Sequence, residues 1–112
     1  LLWGGEATVD GQLWPAADGQ AVWLPAGTHI VEPAAAKPAM HLLYLNGDLR
    51  AARALDGATI EFSYQSSARA IAVLDRAPAK IEVDSRAIEI PAAGAKTLLL
   101  PRGQHVVTVS AE

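Results

Sequence analysis

Turn signals recur along the chain at short, regular intervals, and this spacing limits the possible folds more than the composition does. The dipeptides Asp10-Gly11 and Asn46-Gly47 are two of them. Runs of four to eight residues separate the turns, and several runs alternate between apolar and polar positions. Many short strands divided by closely spaced turns are typical of sandwiches and barrels. The sequence therefore predicts an all-β domain, an antiparallel β-sandwich of about seven to nine strands.

The alternating runs identify individual strands. Residues 59–64, 80–84 and 88–90 place apolar side chains at every second position, as in strands that have one face in the core and one in water. Residues 69–74 and 40–45 are apolar at most positions on both faces. A strand that is apolar on both faces is expected at the centre of a sheet.

Two further segments admit a choice of structure. Residues 47–55 have good helix propensity, but the run is short and follows the hairpin signal Asn46-Gly47, so we predict a strand after a hairpin turn. Residues 34–38 are bounded by two prolines. Because proline breaks helices and restricts the residue before it, we predict an extended connection there.

An internal repeat relates residues 15–31 to residues 91–107. The two segments read PAADGQAVWLPAGTHIV and PAAGAKTLLLPRGQHVV, align without a gap and are identical at 8 of 17 positions. The triplets Val-Asp-Gly at 9–11 and Val-Asp-Ser at 83–85 also correspond, with a spacing that differs by two residues. The repeat predicts two similar local structures within one domain.

The most regular part of the repeat is the motif Leu-Pro-x-Gly-x-His. Pro25 and Gly27 belong to the first copy, and Pro101 and Gly103 belong to the second. Proline presets φ at the first position of a tight loop, and glycine accepts a positive φ at the third. We therefore expect a structural turn in each copy, closing a three-residue hairpin. The expected hairpins pair residues 20–24 with 28–32 and residues 96–100 with 104–110.

The composition is that of one globular domain spanning residues 1–112. Apolar residues make up 51% of the chain, charged residues 19%, and the net charge is -3. The few Lys and Arg residues are scattered, so no nucleic-acid partner is expected, and no apolar run is long enough for membrane insertion. The chain starts at Leu1 without a basic leader segment. We expect a domain excised from a larger protein, with residues 1–5 contacting its neighbour.

The closing stretch, residues 81–109, has the form strand, Val-Asp-Ser, strand, Pro-Ala-Ala-Gly, strand, Leu-Pro-Arg-Gly-Gln-His, strand. This stretch resembles the PEGA-type repeats of bacterial surface proteins and the Ig-like sandwiches appended to carbohydrate-active enzymes. The resemblance covers under a third of the chain, together with the weaker first copy. It implies an Ig-like, extracytoplasmic accessory module, periplasmic or secreted.

Few residues offer catalytic or metal-binding chemistry. The absence of cysteine excludes disulfides and thiolate zinc sites. Of the three histidines, His29, His41 and His105, the first and last hold equivalent repeat positions. They are expected to pack beside Trp23 and Leu99 across the hairpins rather than to bind a metal. Aspartates in turns and glutamates on polar strand faces make a catalytic carboxyl pair the weaker interpretation. We expect no catalytic residue, metal or cofactor.

The tryptophans leave two functions open. Trp3, Trp14 and Trp23 fall in the first quarter of the chain, and Tyr44 follows. Burial would place Trp14 and Trp23 in the core and Trp3 against a neighbouring domain. That arrangement fits a non-catalytic structural accessory domain of a larger bacterial glycan-processing or cell-surface protein. If Trp3, Trp14, Trp23 and Tyr44 are instead exposed, they are the ligand-binding residues of a carbohydrate-binding module with a polysaccharide partner.

Overall fold

A computed structural model describes residues 1–90 and 94–111. Every regular element in these residues is a β-strand, so the predicted all-β class is confirmed. The described segments accordingly include no helix that could cross a membrane. Residues 91–93, which open the second repeat copy, lie outside the described residues. The strands are β1 (Ala7–Val9), β2 (Gln12–Leu13), β3 (Val31–Pro33), β4 (Leu42–Leu45), β5 (Asp48–Ala54), β6 (Thr59–Ser66), β7 (Ala70–Leu74), β8 (Lys80–Val83), β9 (Arg86–Ile88), β10 (Thr97–Leu100) and β11 (Gly103–Ser110).

The strands form three antiparallel sheets. A five-stranded sheet has the order β5-β6-β11-β8-β9, one three-stranded sheet has the order β10-β7-β4, and a smaller one has the order β2-β1-β3. This agrees with the predicted antiparallel sandwich. The eleven strands of the described residues exceed the predicted seven to nine because four of them span only two or three residues. The Ig-like strand order stays a prediction.

One continuous core joins the sheets. Ile60, Phe62 and Tyr64 of β6 are at most 1% exposed, which confirms the alternation predicted for that strand. Leu74 and Leu98, from the β10-β7-β4 sheet, belong to the same hydrophobic cluster. Because each sheet turns one apolar face inward, burial of these side chains supplies the main stabilisation of the fold.

The sequence predicted two central strands, and one of the two predictions is confirmed. Strand β7 is central in its sheet, as its apolar residues predicted. The prediction that residues 40–45 form a central strand is wrong, since β4 lies at the sheet edge. Residues 47–55 form strand β5, as predicted, but Asn46-Gly47 does not close a hairpin. Strand β4 pairs with β7 and β5 pairs with β6, so the chain changes sheets at this turn.

Neither Leu-Pro-x-Gly-x-His motif closes a hairpin, so both predicted hairpins are wrong; we call each bend a corner. The second corner crosses between two sheets. Strand β10 pairs with β7, whereas β11 pairs with β6 and β8. In the first copy, β3 pairs with β1 and not with residues 20–24. The turns themselves are present, with φ of 114° at Gly27 and 102° at Gly103. Turn chemistry requires only a local bend, and crossing to the other sheet lets Leu98 and Val107 both enter the core.

The repeat is preserved in the strand pairing. A two-residue turn joins β1 to β2, and another joins β8 to β9. After the corner, β3 returns to β1 with Val31 opposite Val9, and β11 returns to β8 with Val107 opposite Val83. The two copies therefore share one local topology, which the fold places in different sheets.

Candidate functional site

A surface groove of about 620 Å³ lies between the N-terminal segments and strands β4 and β5. We call it the aromatic groove. Its N-terminal wall consists of Leu1, Val22, Trp23, Leu24 and Ala26. Its second wall, the β4–β5 wall, consists of Leu42, Tyr44, Leu45, Gly47, Asp48, Leu49 and Arg50.

Two aromatic side chains, Trp23 and Tyr44, line opposite walls of this groove. Trp23 is 38% exposed and Tyr44 is 51% exposed. The Trp23 indole N–H donates a hydrogen bond of 3.0 Å to the Leu43 carbonyl, so this ring is held across the groove. The prediction that Trp23 fills the core is wrong, because its neighbour Val22 takes the inward position and is 1% exposed.

The other two tryptophans lie outside the groove. Trp14 is 5% exposed, as predicted for a core residue, and its indole N–H donates to the Trp23 carbonyl at 2.9 Å. Trp3 is half-buried and packs against this domain's own core, and its contact with a neighbouring domain stays a prediction. Of the four candidate ligand-binding aromatics, the fold therefore brings Trp23 and Tyr44 together and separates the other two.

The β4–β5 wall also carries polar groups. Asp48 and Arg50 are exposed at the start of β5, and the Arg50 guanidinium donates to the side-chain oxygen of Gln65. The groove thus has aromatic and aliphatic walls with one charged end. Small-molecule sites commonly combine an apolar lining with a few placed polar groups.

A second feature adjoins the groove. The outer side of the β10-β7-β4 sheet presents Tyr44, Ile71, Val73 and Leu99, which we call the apolar face. Leu99 lies directly opposite Ile71, and Tyr44 lies opposite Val73. Leu99 is 53% exposed and Ile71 is 38% exposed. Because Tyr44 belongs to both features, the apolar face and the aromatic groove are continuous.

The first repeat corner is held by an aspartate and a histidine. His29 Nδ1–H donates to Asp10 Oδ2 at 2.7 Å, and Nε2–H donates to the Pro25 carbonyl at 3.0 Å. The other oxygen of Asp10 accepts from the Ile30 backbone N–H at 2.9 Å. Both ring nitrogens face acceptors, so the bonds favour the doubly protonated ring. The expected packing of His29 beside Trp23 is therefore wrong.

The second corner repeats this arrangement. His105 Nδ1–H donates to Asp84 Oδ2 at 2.6 Å, and Asp84 Oδ1 accepts from the Val106 N–H at 2.9 Å. The expected packing of His105 against Leu99 is wrong, because β11 pairs with β6 and not with β10. His105 lies opposite Tyr64, with 5.9 Å between the ring centroids.

Tyr64 distinguishes the second corner from the first. Its buried hydroxyl donates to the Pro101 carbonyl at 2.6 Å. The equivalent carbonyl of the first copy, Pro25, accepts from the histidine ring instead, and the second-copy histidine bonds to the Arg102 carbonyl. Burial, and secondarily the charge of Asp84, raises the pKa of Tyr64 to about 12.

The third histidine lies between two carboxylates. His41 Nδ1–H donates to Asp75 Oδ2 at 2.6 Å, and Nε2–H donates to the two oxygens of Glu6 at 2.9 and 3.0 Å. The backbone N–H of His41 also donates to Asp75 Oδ1 at 2.6 Å. We call these three residues the His41 cluster.

All three histidines have raised pKa values. The hydrogen bond to Asp10 raises the pKa of His29, and that to Asp84 raises the pKa of His105. The same bonds lower the pKa of each aspartate. Burial lowers the pKa of His41, but its bonds to two carboxylates outweigh this effect, so the net pKa lies above 6.5.

Three further acids, Asp18, Asp56 and Glu61, have the structural roles that the sequence predicted. Asp18 and Asp56 accept backbone N–H groups within their own turns, and Glu61 pairs with Arg53 across two strands at 3.0 Å. Within residues 1–90 and 94–111, no three His, Asp or Glu side chains converge in a way that could hold a metal ion. The best-defined titratable groups therefore act in bonds that hold loops and strands.

The sequence interpretation missed the bonds between aspartate and histidine. Both aspartates sit in the Val-Asp triplets that precede the repeat, and that correspondence is the signal that could have linked them to the two histidines. Asp10 and Asp84 have φ of 51° and 52°, which aspartate tolerates better than most residues. Glu6, His41 and Asp75 lie far apart in the sequence, and no pattern connects them.

Comparison of the chain with protein-family models, with curated proteins and with solved structures finds no match in any of the three. The function is therefore argued from the groove, the apolar face and the histidine bonds.

Proposed function

We propose that the chain is a non-catalytic accessory β-sandwich domain of a larger bacterial glycan-processing or cell-surface protein, and that it packs on a neighbouring domain through the apolar face. The observation that carries the proposal is the chemistry of the outer side of the β10-β7-β4 sheet. Antiparallel sheets with one side in water normally place polar residues on that side. Here Leu99 and Ile71, two large exposed apolar residues, lie directly opposite each other.

The five-stranded sheet provides the internal reference for this observation. Its outer side carries Glu61, which pairs with Arg53, and Thr59, whose hydroxyl lies 3.3 Å from that of Ser110. Lys80 and Glu82 follow on β8. The outer side of the five-stranded sheet is thus mostly polar, with Val106 as an exposed apolar residue, whereas the β10-β7-β4 sheet exposes two large apolar residues directly opposite each other. Contiguous exposed apolar surface is typical of interaction sites.

The type of parent protein is inferred from the sequence resemblance. Residues 81–109 resemble PEGA-type repeats and the Ig-like sandwiches appended to carbohydrate-active enzymes, which favours an extracytoplasmic, glycan-associated parent protein. The N-terminal segment would contribute to the same contact, since Leu1 and Leu2 are 61% and 86% exposed. A catalytic role is not proposed, because the histidines are engaged in bonds to acids and carbonyls.

Hydroxyl-radical footprinting of the full-length parent chain and of the isolated 112-residue domain tests this proposal. Tyr44, Ile71 and Leu99 should be modified several-fold more slowly in the parent chain. Leu55 and Ile88, exposed apolar residues away from the apolar face, should react equally in both and serve as the reference. Equal modification of all five residues in both chains would contradict the proposal.

A matched pair of variants sharpens the test. Leu99→Lys should disrupt the contact in the parent chain and restore rapid modification of Tyr44 and Ile71 there. Leu55→Lys introduces the same charge at another exposed apolar site and should leave their protection unchanged. Both variants should keep the unfolding midpoint of the isolated domain, because both side chains are exposed in it.

A second candidate function is polysaccharide binding in the aromatic groove. Trp23 and Tyr44 are exposed in one groove, and the indole of Trp23 is held by its bond to Leu43. Aromatic side chains offer an apolar surface with a defined geometry, and the apolar face of a pyranose ring suits it. At the charged end, the Asp48 carboxylate could accept hydrogen bonds from sugar hydroxyls, and the Arg50 guanidinium could donate hydrogen bonds to them.

Tryptophan fluorescence titrations against soluble polysaccharides test this candidate. A saturable spectral shift that Trp23→Ala abolishes and Leu99→Lys preserves would establish a sugar site in the groove. If Trp23→Ala retains the shift, the signal does not come from the groove. No response from the native domain to any polysaccharide would remove the candidate and leave the accessory proposal unaffected.

A further inference from the structure

The His41 cluster joins the N-terminal segment, residues 1–6, to the start of strand β4. Glu6 ends the N-terminal segment, whose backbone pairs with residues 20–22: the Val22 N–H donates to the Leu1 carbonyl at 2.9 Å. His41 directly precedes β4, which forms the opposite wall. Leu1 of the N-terminal segment lines one wall of the aromatic groove and Leu42 of β4 lines the other. The side-chain bond between Glu6 and His41 therefore connects two segments that carry opposite walls.

The bonds of the His41 cluster require a charged ring. Each ring nitrogen faces a carboxylate oxygen within 3.0 Å. A neutral imidazole carries one N–H and one lone pair. In the neutral ring, one nitrogen would therefore direct its lone pair at a carboxylate, and one of the two contacts would have to break.

The two contacts are not equally secured. Asp75 is also tied to His41 through the backbone, since its Oδ1 accepts the His41 N–H at 2.6 Å and its own N–H donates to the His41 carbonyl at 3.1 Å. The Glu6 carboxylate makes no hydrogen bond within the described residues other than those to the ring. Loss of the ring proton therefore releases Glu6 and leaves Asp75 in place.

We propose that His41 is a pH-sensitive link between two segments that carry opposite walls of the aromatic groove, and that loss of its proton releases Glu6 from the start of β4. The expected result is a local loosening around Glu6 and not a separation of the two walls. After the proton is lost, the Leu42 N–H still donates to the Pro15 carbonyl at 2.8 Å, and the Trp23 indole N–H still donates to the Leu43 carbonyl at 3.0 Å. This inference goes beyond the proposed function and requires no ligand.

The charges around the ring agree with this behaviour. Glu6, before β1, and Asp75, after β7, are the charged groups that face His41 in the described part of the chain. The neighbouring Arg76 donates to the Ala39 carbonyl at 3.1 Å. Because the pKa of His41 is raised, the link is complete below 6.5 and is lost as the pH rises through the raised value.

Nuclear magnetic resonance of the 112-residue chain tests the link without a ligand. The three indole N–H signals are separate reporters: Trp23 bonds across the groove, Trp3 bonds to the Glu6 carbonyl at 3.4 Å, and Trp14 is buried. The Trp3 signal should shift with the midpoint of the His41 ring signal, above pH 6.5, and the Trp23 signal should follow with a smaller shift. The Trp14 signal should stay nearly constant.

Three variants separate the link from a general pH effect. Glu6→Gln should lower the His41 midpoint, because it removes a carboxylate that stabilises the charged ring, and it should reduce the indole shifts. His41→Gln should abolish the indole shifts, whereas His105→Gln, a control in the second repeat copy, should retain them. Indole signals that do not follow His41 in the native chain, or an unchanged His41 midpoint in Glu6→Gln, would overturn the proposal.

Discussion

The two repeat copies make the same corner in different surroundings. Each holds a Pro-x-Gly turn with a histidine that bonds to an aspartate in the preceding hairpin. The second corner leads into β11, eight residues that pair with both β6 and β8. The first leads into β3, three residues that pair with β1. The comparison shows that the corner is a local structure, whereas the length of the following strand depends on which neighbouring strands are available for pairing.

The largest effect should come from removing the aspartate of the second corner. Asp84→Ala removes the bonds to His105 and to the Val106 N–H, and it leaves a non-glycine residue at φ 52°. We expect a loss of about 2 kcal/mol in the free energy of unfolding, measured in urea. Asp84→Asn keeps an acceptor and tolerates this φ, so it should recover much of the loss.

The equivalent substitution in the first copy calibrates this result. Asp10→Ala should lower the stability less than Asp84→Ala, because β1 and β3 are short and form a small sheet. Equal losses in the two variants would contradict the view that the second corner is coupled to the larger sheet.

A smaller effect should follow from removing the tyrosine hydroxyl that is specific to the second corner. Tyr64→Phe keeps the buried ring and deletes the bond to the Pro101 carbonyl. We expect a loss of about 1 kcal/mol in the free energy of unfolding. Tyr44→Phe removes a hydroxyl from an exposed ring and should be nearly neutral. If the two variants have equal stabilities, the hydroxyl bond does not distinguish the corners.

The turn residues that follow the two aspartates should give opposite effects. Gly11 has φ 82°, and its counterpart Ser85 has φ 68°, where a side chain costs free energy and glycine does not. Ser85→Gly should therefore raise the free energy of unfolding by about 0.5–1 kcal/mol. The reciprocal Gly11→Ser should lower it, and thermal unfolding of both variants checks the pair. Destabilisation by Ser85→Gly would count against this explanation.

The smallest effect concerns pH and tests whether the corners are independent. The raised pKa of His105 means that its contribution is complete below 6.5 and is lost as the pH rises through the raised value. The lowered pKa of Asp84 means that its contribution is present above 3.8 and is lost as the pH falls through the lowered value. The bond between aspartate and histidine should therefore contribute most to the stability of each corner between pH 3.8 and pH 6.5.

Histidine ring titrations by nuclear magnetic resonance check this independence. Asp84→Asn should lower the midpoint of His105, because the bond to the Asp84 carboxylate raises it, and leave the midpoint of His29 unchanged. Asp10→Asn should do the reverse. A substitution that moves both midpoints would mean that the two corners are electrostatically coupled.

Much of the local structure could be predicted from the sequence. The alternation of residues 59–64 identified β6 and its buried face, and Pro25 and Pro101 marked real turns with a positive φ at the following glycines. The candidate site was predicted less well. Tyr44 was recognised as a possible surface aromatic, but Trp23 was assigned to the core, because residue size says nothing about which of two neighbouring side chains faces inward.

What the sequence by itself determined is the all-β class, the buried faces of β6 and β8, and the bends at the two Pro-x-Gly motifs. These depend on alternation and on turn residues, which act within a few positions of the chain. The alternation of residues 88–90 was misleading, because β9 ends at Ile88 and that side chain is exposed. The tertiary structure alone decided that the second Pro-x-Gly corner crosses between sheets, that Trp23 and Tyr44 line one groove, and that Glu6 and Asp75 enclose His41. Those outcomes depend on which distant strand offers a partner and a core to fill, and strand pairing is set by contacts between segments far apart in the chain.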